Sequence, residues 1–429
     1  MFETFRNAFK IPDLRKKMLF TLFIIVLFRI GSAIPVPFLD PTQLSKVMGG
    51  NTGTLMSYID MLTGGAFSKA TLFAMSVTPY INASIIIQLL AVAIPPLEKL
   101  MKEGETGRKK VAQITRYTTL GLGLIQGISY YFYLRNSGVL VSNCVDGFIG
   151  LWCAVVIVTL FTAGATLMMW LGEQINDKGI GNGISVLLFA GIVSRGSYIA
   201  SYLQKCWSLG NQYYVLVPLV IVLGIAVITA IVFMNAAERR IPVQYAKRVV
   251  GRKMYGGQST FLPIKVTMSG VMPIIFAMSI VTIPTTIAQF MPKTSWFYNF
   301  VNNWLSYKSA LYAIIYLLLI IAFNFFYVQI QYNPHEMANN LKNNNGGIPG
   351  IRQGKPTSDY IQRCIYRVSL IGAIFLAFVA ILPIILAGVA GMDLSLGGTS
   401  LLIVVGVALD TSRQLESQMM MRHYKGFLE

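Results

Sequence analysis

Long apolar runs alternate with short polar connectors along the chain. Each run is about 20 residues long, which is near the length that a helix needs to cross a hydrocarbon core of about 30 Å. The ten windows are 18–38, 72–94, 117–134, 151–172, 183–202, 214–235, 267–290, 310–332, 367–388 and 396–412. The last window is the weakest, because its apolar stretch is short and glycines lie near its start. The pattern predicts ten transmembrane helices.

The segment 61–90 is apolar enough for a bilayer but contains several residues that are unfavourable in lipid. These residues are Gly64, Gly65, Pro79, Asn82, Ser84 and Gln88. Polar groups and a proline-interrupted backbone are tolerated at membrane depth where neighbouring protein or a water-filled cavity satisfies them. We therefore expect this segment to line an aqueous path.

The composition indicates a membrane protein, and the distribution of basic residues indicates its orientation in the membrane. Hydrophobic residues make up 55% of the chain and charged residues 12%, with a mean hydropathy of +0.61, whereas soluble domains average about 25% charged residues. Most of the 35 lysines and arginines lie near the termini or in the connectors 95–116, 173–182, 236–265 and 333–366. Since basic residues are enriched in cytoplasmic loops, both termini are predicted to be cytoplasmic. Attraction to anionic lipids explains part of the net charge of +18, and partner docking is a second explanation.

The predicted helices contain few groups that could carry protons. Their interiors hold no aspartate or glutamate, and both histidines, His335 and His423, lie in cytoplasmic segments. This pattern argues against a proton-driven carrier, which usually needs such groups as relays. Arg195 lies near the outer end of its span and is predicted to snorkel to the interface. Arg29 either reaches an interface or a neighbouring carbonyl, or faces a polar cavity.

Motifs for catalysis, metal binding and nucleotide binding are incomplete. The zinc-protease pattern HExxH begins at His335 but has Asn339 in place of the second histidine. The sequence GETGRKK at 104–110 lacks phosphate-loop spacing, and the glycines of 177–183 fit a tight turn. The four cysteines form no CxxC pair, so neither a disulfide framework nor a zinc site is predicted. We expect no enzymatic activity, catalytic residue, metal or cofactor.

Two cytoplasmic connectors are longer than a simple link requires. Residues 236–265 contain seven basic residues and one acid, Glu238, and could form a projecting hairpin for an acidic or RNA-bearing partner. The alternative is a basic cytoplasmic loop without a partner. Residues 333–366 contain a Gly/Pro/Asn-rich tip around Arg352, which suggests a second contact site.

A collinear set of motifs resembles the SecY family of protein-conducting channels. The set is MLTGGAFSKA, MSVTPYINASIIIQLL, EGETGRKK, WLGEQINDKGIGNGIS, ERRIPVQYAKR, QSTFLPIKV, NPHEMANNLKNNNGGIPGIR and GGTSLLIVVGVALD. The resemblance extends from FRIGSAIPVP over essentially the whole chain. It implies an all-α polytopic membrane protein with ten transmembrane helices in two pseudo-symmetric five-helix halves of inverted topology, 1–205 and 206–429, plus a short re-entrant plug helix.

The resemblance also assigns roles to individual residues. The plug corresponds to about 57–70, including Ser57, Gly64, Gly65 and Ala70. A ring of apolar side chains would form the waist of the pore, with Val77 and Leu188 replacing isoleucines that are common in the family. The ring residues are Val77, Ile81, Ile184, Leu188, Ile275 and Ile403.

The resemblance further implies partners and a location. Arg239, Arg240, Lys247 and Arg352 would dock a SecA-type motor ATPase or the ribosome. Small subunits of the SecE and SecG type, anionic lipids and signal-sequence-bearing precursors are the other expected partners. Spans 2 and 3 would face spans 7 and 8 at a lateral gate in a bacterial cell membrane. The alternative is a secondary transporter of small solutes, which also uses broken helices.

Overall fold

The computed structural model is mainly helical, with long helices joined by short connectors. It describes residues 2–40, 43–44, 60, 63–141, 144, 147–208, 210, 213–245, 248–250, 253–255, 259–289, 291, 295–305, 309–390 and 398–425. In the N-terminal part the helices are α1 (Phe2–Lys10), α2 (Pro12–Gly31), α3 (Thr78–Ala93), α4 (Pro95–Lys102), α5 (Glu105–Asn136), α6 (Gly147–Lys178), α7 (Gly183–Ser194) and α8 (Gly196–Ser208).

The C-terminal helices follow the same long-and-short pattern. They are α9 (Tyr213–Ala236), α10 (Met272–Gln289), α11 (Trp296–Trp304), α12 (Ala310–Gln331), α13 (Pro334–Asn343), α14 (Lys355–Ala390) and α15 (Gly398–Lys425). A helix overlaps each of the ten apolar windows. The predicted boundary between residues 205 and 206 falls inside α8, which continues to Ser208.

The described helices are those of a multi-pass membrane protein. Five stretches are long and apolar enough to cross a bilayer: Gly147–Lys178, Gly183–Ser208, Tyr213–Ala236, Ala310–Asn343 and Lys355–Ile385. A sixth span results if α3 and α4, which meet at a bend of 109°, are counted together. The bend occurs at Ile94, whose extended backbone is favoured because a proline follows it. The full set of ten spans stays a prediction.

The long connectors contain β-structure, which the all-helical prediction did not include. β1 (Glu238–Tyr245) pairs antiparallel with β4 (Ser259–Lys265), from Glu238 opposite Lys265 to Gln244 opposite Ser259. The end of β1 also pairs with β5 (Gly346–Gly347), so the two connectors share one sheet. Two further strands, β2 (Arg248–Val250) and β3 (Lys253–Tyr255), form a second antiparallel pair. The first connector is therefore hairpin-like, as its length suggested.

The N-terminal and C-terminal parts of the chain each have an apolar core of their own. One core contains Tyr130, Leu134, Ile157 and Phe161 from α5 and α6. Another contains residues of α9, α10, α12, α14 and α15. A disulfide joins Cys144 to Cys153 in the first core, although no disulfide framework was predicted. The spacing of these cysteines gave no sign of the bond, because packing brings them together and no sequence motif does.

Candidate functional site

Four of the six predicted ring residues meet in one apolar cluster. Leu188 and Ile403 are buried, and the partly buried Ile81 and Ile184 pack against them. The complete set, here called the waist cluster, is Ile81, Ile184, Leu188, Ile192, Val271, Ile403, Val404 and Val407. These residues come from α3, α7, the segment before α10, and α15. The cluster therefore joins elements of both predicted halves.

The other two predicted ring residues lie outside this cluster. Val77 is 1% exposed and packs in a neighbouring core with Phe28 and Met168, although Ile81 and Ile184 also contact that core. Ile275 is partly buried in α10 and belongs to none of the apolar clusters of the described residues. Val271, four residues earlier, is the residue of this region that joins the waist cluster.

Sequence reasoning missed four cluster members, and helical spacing could have found at least one of them. Ile192 lies four residues after Leu188, which itself lies four residues after Ile184. Residues at this spacing share one face of a helix. Val407 lies four residues after Ile403 and has the same signal, whereas Val404, next to Ile403 in the sequence, has none.

The plug segment, defined as residues 57–70, is held at one end by a buried ion pair. The carboxylate of Asp60 pairs with the guanidinium of Arg195, and the two side chains are 7% and 19% exposed. Asp60 also accepts a hydrogen bond from the backbone N–H of Ser68 at 2.6 Å. The prediction that Arg195 snorkels to the interface is therefore wrong. Its acidic partner, Asp60, lies in the connector between the first two predicted spans. The search for acidic residues covered only the interiors of the spans and therefore missed it.

Gly64 brings the plug segment against the end of α7. Its φ is +68°, and a Cβ there would lie 2.7 Å from Ser194 Oγ and 2.9 Å from the carbonyl oxygen of Gly191. Arg29 Nη1 donates to Ser194 Oγ at 2.9 Å, so α2 reaches the same point. Both the backbone conformation and the close approach require glycine at this position.

The other end of the plug segment is part of the core beside α5. Tyr130 donates its hydroxyl hydrogen to the carbonyl oxygen of Phe67 at 2.7 Å, and the two rings stack with centroids 4.4 Å apart. The carbonyl oxygen of Ala70 accepts from the N–H of Val36 at 3.0 Å. Described residues 63–70 form consecutive turns and no helix, whereas Ser57 lies outside the described residues. The plug helix stays a prediction.

Helix α7 carries both the waist cluster and the plug contacts. Ile184, Leu188 and Ile192 are in the waist cluster, while Gly191 and Ser194 meet Gly64. At 1.5 Å per residue, Leu188 and Ser194 are separated by roughly 9 Å along the helix axis. The plug segment therefore lies within two helical turns of the waist cluster.

The polar residues of the segment 61–90 have different surroundings. Gln88 Nε2 donates to Ser84 Oγ at 3.3 Å within α3. Asn82 Oδ1 is buried and has no hydrogen-bond partner among the described residues. Asn82 lies next to Ile81 of the waist cluster in the sequence.

The predicted docking residues lie in the shared sheet and its neighbouring tip. Arg240 donates from Nε to Glu238 Oε1 at 2.7 Å and stays 67% exposed. Arg352 is exposed, and its carbonyl oxygen accepts from Thr357 Oγ1 at 2.8 Å. Arg239 lines a cavity beside α14. Lys247 lies outside the described residues.

The helices predicted to form a lateral gate are in contact. Helix α10 touches both α3 and α5, and it also packs along α12. The contact between α3 and α10 joins the same two predicted halves as the waist cluster. This seam is therefore a second place where the halves meet.

The sequence has close relatives of one family. The SecY family profile matches residues 71–412. The protein translocase subunit SecY of Streptomyces coelicolor is 44% identical over 444 residues, which cover 100% of both chains. The protein translocase subunit SecY of Mycobacterium bovis is 44% identical over 446 residues with the same coverage. These relatives agree with the channel prediction and do not support the transporter alternative.

Solved structures show the same fold. A structure described as that of a protein conducting channel has a TM-score of 0.66 and 18% identity, covering 94% of this chain and 92% of that chain. Sec61 in the canine ribosome-channel complex from the endoplasmic reticulum has a TM-score of 0.63 and 17% identity, with coverage of 94% and 92%.

Proposed function

Since the chain belongs to the SecY family, we propose that it forms the channel through which unfolded secretory polypeptides cross the membrane. The observation that carries this proposal is the waist cluster, a group of apolar side chains from both predicted halves, which would form the constriction. A narrow apolar constriction excludes ions by dewetting, and it offers no strong binding site that would retain a moving chain. The channel needs no catalytic residue or cofactor.

The plug segment seals the resting channel next to the constriction. Its ion pair and the Gly64 contact hold it against α7, whose Leu188 and Ile192 belong to the waist cluster. A polypeptide that enters from the cytoplasm displaces the plug segment and separates the residues of the constriction. Ile275 and Val77 join the lining in the opened state, when the helices around the waist move apart.

Opening along the contact between α3 and α10 gives a lateral exit into lipid. The two halves, 1–205 and 206–429, move relative to each other as pseudo-symmetric units of inverted topology. A sufficiently apolar signal sequence or transmembrane segment leaves by this route, because burying apolar surface is favourable by about 25 cal/mol per Å².

The partners and location follow from the family and from the charge pattern. Arg240, Arg352 and Lys247 contact a SecA-type motor ATPase or the ribosome, which supplies the driving force. Small subunits of the SecE and SecG type complete the complex in a bacterial cell membrane, with both termini in the cytoplasm. Sec61 and Ssh1, which share the fold, are found in ribosome complexes.

The test is site-specific photo-crosslinking to a stalled secretory precursor. Crosslinkers at Ile81 and Ile403 lie in the waist cluster, whereas one at Phe378 lies on a 62% exposed, outward-facing position of α14. We expect the precursor to crosslink at the first two positions and not at the third. If only Phe378 reacts, or if all three react equally, the precursor does not pass through the proposed constriction.

A further inference from the structure

Three arginines surround a cavity between the start of β1 and the cytoplasmic turns of α14. The cavity has a volume of about 370 Å³ and is lined by Arg239, Tyr360, Arg363, Cys364, Arg367, Val368 and Ile371. This volume falls within the range of about 300–1,000 Å³ that is usual for ligand sites. None of the described residues that line it is acidic, and none of the three arginines forms an ion pair with a described residue.

The sequence of α14 explains why the arginines and the apolar wall share one face. Arg363 and Arg367 are four residues apart, and Cys364, Val368 and Ile371 follow the same helical spacing. Arg239 and Arg240 are neighbours on β1, so their side chains point to opposite faces of the strand. Arg239 faces the cavity. Arg240 faces the opposite side of the strand, where it can contact the proposed motor ATPase or ribosome.

The cavity continues into an exposed apolar track. Ile371, Ile374 and Phe378 are 58%, 55% and 62% exposed and lie along one side of α14. Arg367 marks the cytoplasmic end of an apolar window that runs to residue 388. The basic rim is therefore located at the level of the lipid headgroups, and the apolar track runs from it toward the acyl chains over about 10 Å.

From this arrangement we propose that the cavity binds an anionic phospholipid. The headgroup phosphate lies among Arg239, Arg363 and Arg367, whose planar guanidinium groups match phosphate oxygens. One acyl chain lies along Ile371, Ile374 and Phe378. An acidic protein segment would satisfy the arginines but would leave the apolar track uncovered, so a lipid fits both parts of the site. The proposal does not depend on polypeptide conduction.

Cys364 provides a reporter inside the site. It is a free, partly exposed thiol in the cavity wall, whereas Cys206 is buried and the other two cysteines form a disulfide. The full-length chain is placed in nanodiscs of phosphatidylcholine alone or with phosphatidylglycerol added. Alkylation of Cys364 by a maleimide is then followed by mass spectrometry. We expect phosphatidylglycerol to slow the alkylation.

The variant Arg363→Gln/Arg367→Gln tests the assignment. Two basic side chains near an anionic lipid account for roughly a 30-fold difference in affinity, so the protection by phosphatidylglycerol should disappear. The control Arg108→Gln/Lys110→Gln removes the same charge from exposed positions elsewhere on the chain and should keep the protection. Unchanged thermal unfolding of both variants in phosphatidylcholine shows that they are folded.

Four results would overturn the proposal. The first is an equal alkylation rate in both nanodiscs, and the second is protection that survives in Arg363→Gln/Arg367→Gln. The third is equal protection by inorganic phosphate in phosphatidylcholine, which would assign the site to a free anion. Protection that appears in phosphatidylcholine only after addition of a partner subunit would likewise replace the lipid by a protein.

Discussion

The waist cluster and the plug segment are neighbours on α7 but are held by different forces. The waist cluster consists of aliphatic side chains, so its attraction is non-directional and persists when the residues shift. The plug segment depends on the Asp60–Arg195 ion pair and on the tight approach of Gly64 to Ser194. Directed contacts of this kind are either formed or lost. We infer that the constriction yields gradually, whereas the plug segment is released in one step.

Removing one partner of the ion pair should give the largest effect. Asp60→Ala leaves Arg195 buried without its carboxylate, and breaking a buried pair in this way costs about 3–5 kcal/mol. The plug segment should detach from α7, so ion conductance through the reconstituted channel in planar bilayers should rise strongly without a precursor.

Two further variants separate the ion pair from general damage to the segment. Asp60→Ala/Arg195→Ala removes both charges and should conduct less than Asp60→Ala, because no charge is left buried alone. Lys69→Ala removes an exposed charge from the same segment and should leave conductance unchanged. The inference fails if Lys69→Ala conducts as strongly as Asp60→Ala.

The second effect concerns the waist cluster. Ile403 is 3% exposed and packs against Leu188, and truncating a buried isoleucine to alanine costs about 2–5 kcal/mol. Ile403→Ala should lower the thermal stability and raise conductance moderately, since under the proposed function the plug segment still covers the waist cluster. Ile403→Leu keeps the volume and should cost less than about 1.5 kcal/mol. Equal effects of the two changes would contradict a packed constriction.

The third effect tests the close approach of Gly64. Gly64→Ala adds backbone strain at a φ of +68° and a Cβ that lies 2.7 Å from Ser194 Oγ. Gly138 is a matched control, because its φ is +67° and no atom of the described residues lies within 4 Å of the point that a Cβ would occupy. Both substitutions incur strain of about 1–2 kcal/mol. Only Gly64→Ala should also raise conductance, and comparable conductance in both would argue against the α7 contact.

The sequence predicted the members of the waist cluster better than the contacts of the plug segment, for a physical reason. Ile184 and Leu188 share a helix face through local spacing, and motif positions added Ile81 and Ile403 from other helices. Asp60 and Arg195 are far apart along the chain, and neither lies in a pattern that implies its partner. The Cys144–Cys153 bond and the pairing of β1 with β5 also depend on tertiary proximity. Hydrophobic periodicity reflects only local geometry, so it does not predict contacts between residues that the tertiary fold brings together.

The smallest effect distinguishes two isoleucines, Ile275 and Ile403, that were both predicted to belong to the pore ring. Ile403 belongs to the waist cluster, whereas Ile275 is partly buried and belongs to none of the clusters of the described residues. Loss of one buried methylene from isoleucine costs about 0.5–1.5 kcal/mol, so Ile403→Val should lower the midpoint of thermal unfolding slightly. Ile275→Val should lower it less.

A conductance measurement with a stalled precursor in the channel completes this last comparison. If Ile275 joins the lining only when the channel opens, Ile275→Val should change the residual ion leak around the precursor while leaving the resting channel tight. An equal loss of resting stability in Ile275→Val and Ile403→Val would place both residues in the closed constriction. It would also show that the apolar contacts around the waist extend further toward α10 than the packing of Val271 indicates.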